Sequence, residues 1–336
     1  MNTALIAVAC LAVGQADAPI KVQETENYVL IETDALQAKI NKKGYVSGIA
    51  AGSLLDKKTG GRDLGFGLHI MDFLLAPGWR DDDYSRDPLL HGKGFKKKVP
   101  GQTELWFYDP AKHYVEGPQI CTQARKLTPE IIKGDNFVAI RLKFRFTQPH
   151  NGFKAGSLWQ QTLVFQPKVR HVVSSESITS VNDVENLLYR IDMPGHVKHK
   201  NGDTFAQVYL SYRGQIPAKE FLKDFAPDDK FLYQRKDNKL PARMIRAYQI
   251  KHEGKPGPWI AGMTLDPAVT VEAWCHQRGY ICFIQELHGR KVKAGETFGA
   301  AYQVGYFDDV PAMEKAYDRH RGARRIEINA KGWALK

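Results

Sequence analysis

Residues 279–289 read GYICFIQELHG, and a Gly-Glu-Thr turn follows them at Gly295–Thr297. The run of β-branched and aromatic residues predicts a strand, and the turn predicts that the sheet restarts behind it. This strand brings Glu286 and His288 close to its end. Because binding and catalytic groups concentrate where a rigid element passes into a loop, we expect a functional site in this region.

Strand patterns also dominate the rest of the chain. Between residues 140 and 146, four apolar residues alternate with three cations, which predicts a strand with one apolar and one cationic face. The cationic face could line a groove for an anionic polymer, or it could simply be solvated. Five further segments have the same extended character: Tyr28–Thr33, Leu36–Asn41, Leu158–Phe165, Val169–Ser174 and Phe298–Gly305.

Helix signals are few and short. Pro217–Asp224 has room for two turns, and Pro311–Arg321 begins with proline after a capping Asp308 or Asp309. The chain contains no repeat at solenoid or propeller spacing and no low-complexity linker. The sequence therefore predicts an all-β, antiparallel fold with a few short helices, formed by one domain over residues 19–336.

The first eighteen residues, Met1–Ala18, have the pattern of an export signal. An apolar core runs from Ala4 to Val13, and Ala16-Asp17-Ala18 fits the small-x-small rule for cleavage. No Lys or Arg precedes this core, and a buried N-terminal strand is the alternative interpretation. We expect a signal peptide over residues 1–18 and a secreted or periplasmic protein.

The formal charge of +11 indicates an acidic partner. Export argues against nucleic acid, and the chain has no sustained basic amphipathic helix of the kind that binds membranes. The compact basic run Lys96–Lys98 lies between a glycine and a proline and is typical of a solvated loop. We therefore expect a carbohydrate partner, an anionic polysaccharide or oligosaccharide, and neither nucleic acid nor membrane.

Cysteine and acidic patterns predict neither metal nor cofactor. After export, Cys121, Cys275 and Cys282 remain. The last two could pair across a hairpin, or all three could be buried thiols. Cysteine and histidine spacing does not indicate a structural zinc site. Calcium at Asp81–Asp83 is possible, but the spacing lacks the alternating ligands of a calcium loop.

Several segments resemble the galactose mutarotase-like superfamily, in which two large antiparallel sheets form a supersandwich with a concave, sugar-binding face. Leu36–Gly60 is similar to its first strands, and Leu90-His91-Gly92 resembles the "L-H-G-G" element that carries a sugar-contacting histidine. Ile178–Asp183 leads through Met193-Pro194-Gly195 to His196, as the family's chain leads to its catalytic histidine.

The C-terminal strand completes this resemblance. Glu286 stands where the family carries a catalytic carboxylate before a "P-G-E-T" turn, although Ala294 replaces the proline here. The family's "H-P-Y-F" is also replaced, since Val197-Lys198-His199 follows His196. The resemblance implies a β supersandwich that acts on sugars, with His196 as the acid and Glu286 as the base of an epimerase reaction.

Three functions fit this chain. The preferred one is a polysaccharide lyase, in which His196 or Tyr212 removes a proton, Arg80 or Arg213 neutralises a uronate carboxylate, and Glu286 orients the sugar. The alternatives are an aldose 1-epimerase-like enzyme and a noncatalytic carbohydrate-binding protein that stacks sugars on tryptophans. Substrate contacts are expected from nine residues: Trp79, Arg80, His91, His113, Tyr114, Glu116, Lys198, His199 and His288.

Overall fold

The structure is a computed structural model that describes residues 20–43, 47–77, 112–124, 126–150, 152–225, 230–236 and 238–336. Several sequence predictions therefore lie outside the described residues. They are the signal peptide over Met1–Ala18, the acidic run Asp81–Asp83, the basic run Lys96–Lys98, and the candidate sugar contacts Trp79, Arg80 and His91.

Strands make up most of the described chain, and all of their pairings are antiparallel. In chain order they are β1 (Lys21–Glu24), β2 (Tyr28–Glu32), β3 (Leu36–Asn41), β4 (Ile49–Ala50), β5 (Leu55–Asp56), β6 (Gly67–Leu68), β7 (Ile70–Pro77), β8 (Lys112–Gly117), β9 (Glu130–Lys133), β10 (Val138–Arg145), β11 (Gln148–Pro149), β12 (Leu158–Phe165), β13 (His171–Thr179), β14 (Val184–Lys198), β15 (Phe205–Leu210), β16 (Gly214–Pro217), β17 (Tyr233–Gln234), β18 (Ile245–His252), β19 (Lys255–Thr264), β20 (Thr270–Gln277), β21 (Tyr280–Val292), β22 (Thr297–Phe307), β23 (Ile326–Asn329) and β24 (Gly332–Leu335).

Two large sheets organise these strands. The nine-stranded sheet has the order β16-β15-β18-β19-β22-β13-β12-β10-β9, and the seven-stranded sheet has the order β11-β8-β7-β14-β21-β20-β17. A smaller sheet, β1-β2-β3-β5, adds apolar side chains to the same core, including Val29, Ile31 and Ile40. The prediction of an all-β antiparallel sandwich is confirmed.

The two large sheets pack face to face. At their centre the Tyr189 hydroxyl of β14 lies 2.8 Å from the Tyr302 hydroxyl of β22. Nearby, the Thr264 hydroxyl of β19 donates to the Gln285 side chain of β21 over 2.8 Å. These buried polar pairs lie within an apolar core, so they fix the position of β14 and β21 relative to the nine-stranded sheet.

Helices are few in the residues that the structure describes, as predicted. They are α1 (Ile120–Gln123), α2 (Val310–His320) and two 3₁₀ segments, Ala218–Phe221 and Pro267–Val269. The first of these 3₁₀ segments is shorter than the predicted two turns. The predicted start of α2 is confirmed, because the Asp309 side chain accepts a hydrogen bond from the Ala312 backbone N–H.

The outer side of the nine-stranded sheet is covered by apolar packing. Met313 and Tyr317 of α2 are fully buried there against Trp259 and Met263 of β19. The β23-β24 hairpin covers another part of the same side, next to Phe137. The outer side of the seven-stranded sheet carries buried charged side chains instead, including Arg190 and Glu286.

Candidate functional site

Charged and metal-binding residue types collect on one side of the seven-stranded sheet. Side chains alternate across a strand, and Tyr189 and Ile191 of β14 face the core between the sheets, so Arg190 and Asp192 face the other side. We call that side the outer face. Seven polar side chains on it, none more than 6% exposed, form the outer-face cluster: Asp72, Arg190, Asp192, His196, His276, Cys282 and Glu286.

Glu286 is held by a buried arginine. Arg190 and Glu286 lie opposite each other on β14 and β21, and both Nε and Nη2 of Arg190 donate to Glu286 Oε1, the first over 3.0 Å. The guanidinium also lies over the Trp274 ring, 5.6 Å from its centroid. The side chains of the pair are at most 1% exposed. Glu286 thus has the contacts of a structural ion pair.

Asp192 and His196 form the second pair of the cluster. His196 Nε2 lies 3.3 Å from Asp192 Oδ2, with both side chains at most 7% exposed. The His196 ring packs edge-on against two aromatic rings, with centroid distances of 5.3 Å to Phe66 and 5.5 Å to Tyr280. A carboxylate beside an imidazole fixes the orientation of the ring and its proton-bearing nitrogen.

Asp72 adds a second carboxyl group next to this pair. Burial, together with the negative charge of Asp192, raises the pKa of Asp72 to about 7. Its Oδ1 accepts hydrogen bonds from the Gln119 side chain over 3.0 Å and from the Cys121 thiol over 3.4 Å. The outer-face cluster thus holds two carboxyl groups whose negative charges repel each other.

The predicted acid and base of the epimerase reaction do not face each other. His196 is in register with Cys282 on β21, whereas Glu286 is in register with Arg190. Four residues separate Cys282 from Glu286, which corresponds to roughly 13 Å along the strand. Glu286 is also ion-paired to Arg190. In this arrangement His196 and Glu286 therefore cannot both contact the anomeric centre of one sugar.

A pocket of about 370 Å³ lies beside His196. Phe66 and Tyr280, the two rings that pack on His196, form part of its lining, and Lys198 holds its Nζ 3.9 Å from the Phe66 ring centroid. The predicted contacts Lys198 and His199 are therefore brought together here. The remaining lining residues are Lys200, Asp203, Thr204 and Gly279.

The predicted residues Tyr212 and Arg213 lie elsewhere. They belong to the turn after β15, where Arg213 is exposed. Tyr212 donates to the Phe231 carbonyl over 3.3 Å and packs on Tyr233 of the edge strand β17, whereas His196 lies on β14, three strands away. Burial raises the pKa of Tyr212, which disfavours the phenolate that a base would need.

Glu116 and His288 have structural partners. The Glu116 carboxylate is fully buried and accepts hydrogen bonds from the backbone N–H groups of Gly156 and Ser157 and from the Asn182 side chain. These hydrogen bonds attach the loop at Gly156 and Ser157 to β8. His288 stacks on Phe298 with ring centroids 4.0 Å apart, and burial lowers the pKa of His288 to about 4.

Tyr114 lies on the outer face without joining the outer-face cluster. It is fully buried in a small apolar group with Leu75 and Leu188. The backbone of His113 lies in β8, whereas its side chain is outside the described residues.

The three cysteines within the described residues are free and buried. Cys275 faces the core, where the Arg246 guanidinium donates to its sulfur over 3.3 Å, while Cys282 lies on the outer face. They therefore lie on opposite sides of the sheet. Asp192, His196 and Cys282 offer three donor atoms that all lie within 4.8 Å of one another.

Sequence reasoning did not single out several residues of this site. Asp192 and Arg190 alternate with apolar residues in β14, and that alternation was the available signal. Cys282 and Tyr280 come near His196 through strand pairing, because Cys282 lies opposite His196 and Tyr280 lies opposite Lys198. Phe66 lies just before β6 and meets His196 through the packing of their rings.

In the described part of the chain, no helix is long and apolar enough to cross a membrane.

Comparisons with known proteins gave structural neighbours alone. No family model and no curated protein matches this chain. Similar solved structures include a putative aldose 1-epimerase from Escherichia coli K12, with 10% identity, coverage of 87% of this chain and 100% of the other, and a TM-score of 0.39.

Two Lactobacillus proteins are similar to the same degree. A galactose mutarotase related enzyme from Lactobacillus acidophilus has 12% identity, coverage of 83% and 97%, and a TM-score of 0.44. A galactose mutarotase-like protein from Lactobacillus casei has 8% identity, coverage of 83% and 100%, and a TM-score of 0.44. Likenesses of this degree carry no conclusion about activity.

Proposed function

We propose that this protein is a carbohydrate-active enzyme that opens and recloses a sugar ring at the pocket beside His196. The observation that supports this most directly is the position of the Asp192–His196 pair, which lies against the aromatic wall formed by Phe66 and Tyr280. An aromatic wall suits the apolar face of a sugar, and polar groups behind it suit its hydroxyls.

Ring opening needs one group that takes the proton of the anomeric hydroxyl and one that gives a proton to the ring oxygen. We assign the reacting centre to the Asp192–His196 pair. Tyr280, which lines the pocket, is the proton donor. Electrostatic interaction with Cys282, together with burial, raises the pKa of Tyr280, so its phenol stays protonated at neutral pH.

The assignment moves the chemistry away from Glu286. In the proposed site the Arg190–Glu286 pair supports β14 and β21 from within, and the substrate lies at the Lys198 end of these strands. The fold resemblance to aldose 1-epimerases suggested His196 and Glu286 together. The proposal keeps His196 and assigns it Asp192 and Tyr280 as partners.

Exchange of the two anomers of an aldose tests this proposal. We would follow it by exchange NMR with glucose, galactose, glucuronate and galacturonate as probes. We expect faster exchange of at least one sugar with the wild-type chain, and a rate close to the uncatalysed one with His196→Gln or Tyr280→Phe.

Matched controls keep the test specific. His288→Gln and Tyr212→Phe change the same residue types away from the pocket and should retain the activity. If no probe exchanges faster than in buffer, or if His196→Gln exchanges as fast as the wild-type chain, the proposed reaction is wrong. Binding without exchange would indicate a noncatalytic carbohydrate-binding protein.

A polysaccharide lyase is the second candidate, and the cations of the pocket favour it. Lys198 and Lys200 line the pocket beside His196, where they could neutralise a uronate carboxylate. His196 would then remove the proton next to that carboxylate, and Tyr280 would protonate the leaving oxygen. Formation of the ultraviolet-absorbing unsaturated uronate from an anionic polysaccharide, lost in Lys198→Ala, would select this reaction over ring opening.

We also propose that the substrate is anionic and that the protein is exported. The net charge of +11 and the two pocket lysines support the first, and the pattern of Met1–Ala18 supports the second. A comparison of glucuronate with glucose in the exchange assay tests the charge preference. The N-terminal sequence of protein recovered outside the cytoplasm tests export.

A further inference from the structure

We infer that Asp192, His196 and Cys282 bind a divalent transition-metal ion of the zinc type. This inference deepens the proposed function, on which it rests for the location of the reacting centre. Its test requires no sugar, so the two proposals can fail separately.

Strand pairing assembles the three residues. His196 of β14 lies directly opposite Cys282 of β21, and Asp192 precedes His196 on the same strand. The register of β14 shifts between Asp192 and His196, and this irregularity brings the Asp192 carboxylate to 3.3 Å from the imidazole. The three donor atoms lie within 4.8 Å of one another on two adjacent strands of a rigid sheet.

These distances are close to what zinc requires. Zinc binds imidazole nitrogen and carboxylate oxygen at about 2.0–2.2 Å and thiolate sulfur at about 2.3 Å, so tetrahedral geometry places neighbouring donors roughly 3.4–3.6 Å apart. The carboxylate and the imidazole already have nearly that separation. Small side-chain movements would bring the Cys282 sulfur to the same distance.

The donor set selects the class of metal. Calcium and magnesium prefer oxygen ligands alone, whereas an imidazole and a thiolate suit zinc and its neighbours in the first transition row. Three protein ligands leave a fourth position open, which is the arrangement of catalytic rather than structural zinc sites. An ion there would polarise a sugar oxygen and help its hydroxyl to release the proton, so Asp192 and His196 would hold the ion in place of taking that proton directly.

The second oxygen of Asp192 points to the same conclusion. Asp192 Oδ1 is buried and, within the described part of the chain, has no hydrogen-bond partner, while Asp192 Oδ2 is the oxygen that lies 3.3 Å from His196 Nε2. Leaving a buried carboxylate oxygen unsatisfied costs free energy, and a divalent cation bound by the carboxylate would offset that cost.

Cobalt provides a direct test, because a thiolate bound to Co²⁺ gives a near-ultraviolet charge-transfer band and tetrahedral Co²⁺ gives visible bands. We would strip the full chain with a chelator and titrate it with Co²⁺. We expect saturation at one ion per chain, loss of the charge-transfer band in Cys282→Ser, and its retention in Cys275→Ser, which changes a buried thiol on the opposite side of the same sheet.

A second measurement does not depend on the folding of one variant. Competition with a chromophoric zinc chelator should show that His196→Gln binds Zn²⁺ at least about tenfold more weakly than the wild-type chain, since even residues that only orient a metal ligand contribute that much. Circular dichroism would establish that each variant is folded. The absence of a charge-transfer band in the wild-type chain, or an equal band in folded Cys282→Ser, would overturn the inference.

Discussion

Replacing Glu286 by glutamine should destabilise the protein strongly. The substitution removes one charge and little volume, so its cost measures the electrostatic role of the side chain. Arg190 and Glu286 are at most 1% exposed, and two guanidinium N–H groups donate to one carboxylate oxygen. Loss of the carboxylate removes the charged partner of two N–H groups of the buried guanidinium, which we expect to lower the free energy of unfolding by about 3–5 kcal/mol.

This loss is large compared with the total free energy of unfolding. Domains of ordinary stability unfold with about 5–15 kcal/mol, so Glu286→Gln should remove roughly a third of it or more. Arg190→Met should cost a comparable amount, because it removes the cation that pairs with the buried Glu286 carboxylate. The double variant Arg190→Met with Glu286→Gln leaves no buried charge of this pair, and we expect it to be more stable than either single variant.

Urea denaturation monitored by tryptophan fluorescence measures each free energy, and the four chains form a double-mutant cycle. Glu185→Gln is the matched control. It breaks a 2.7 Å pair with Lys291 in which both side chains are more than 60% exposed, and it should leave the unfolding midpoint unchanged. If Glu286→Gln costs less than about 1 kcal/mol, or if the double variant loses the sum of the two single losses, the pair is not the support that we describe.

Three further changes test other parts of the structure. Gly262→Ala places a Cβ 2.5 Å from the Met193 Cγ on the facing sheet, so urea denaturation should show a loss of about 1–3 kcal/mol. Asp309→Ala removes the side-chain acceptor for the Ala312 N–H and should cost about 1 kcal/mol in the same assay. Burial lowers the pKa of His171 from 6.5 to about 4. The unfolded chain therefore takes up the proton first, and stability that is complete above pH 6.5 should fall by about 3 kcal/mol at pH 4, less steeply in His171→Gln.

The sequence predicted the sheets well because their signals are local. Alternation between apolar and charged residues at 140–146 depends on a two-residue repeat, and the strand Val138–Arg145 follows it with Ile140 and Leu142 fully buried. The capping Asp309 likewise acts on the helix that it begins. Such signals need no knowledge of which strand lies beside which.

The candidate site was predicted only in part because it depends on distant pairing. His196 was identified from its own neighbourhood, whereas its partner Cys282 lies 86 residues further along the chain and meets it through the register of two strands. The sequence also did not indicate which side of the sheet each of these residues faces. Glu286 reads as a free carboxylate in the sequence, and it becomes half of an ion pair only when Arg190 comes to lie opposite it.

The contrast between the two outer sides of the sandwich argues that the outer-face cluster exists for function. Behind the nine-stranded sheet, Met313 and Tyr317 pack on apolar side chains. The outer face of the seven-stranded sheet buries three carboxyl groups, a guanidinium and two imidazoles with at most 6% exposure. Apolar residues of similar volume would stabilise such a surface as well or better. Buried charges that stability does not require are typical of a site where protons or ions are handled, and in this chain the Asp192–His196 pair packs against Phe66 and Tyr280, which line a pocket of sugar-binding size.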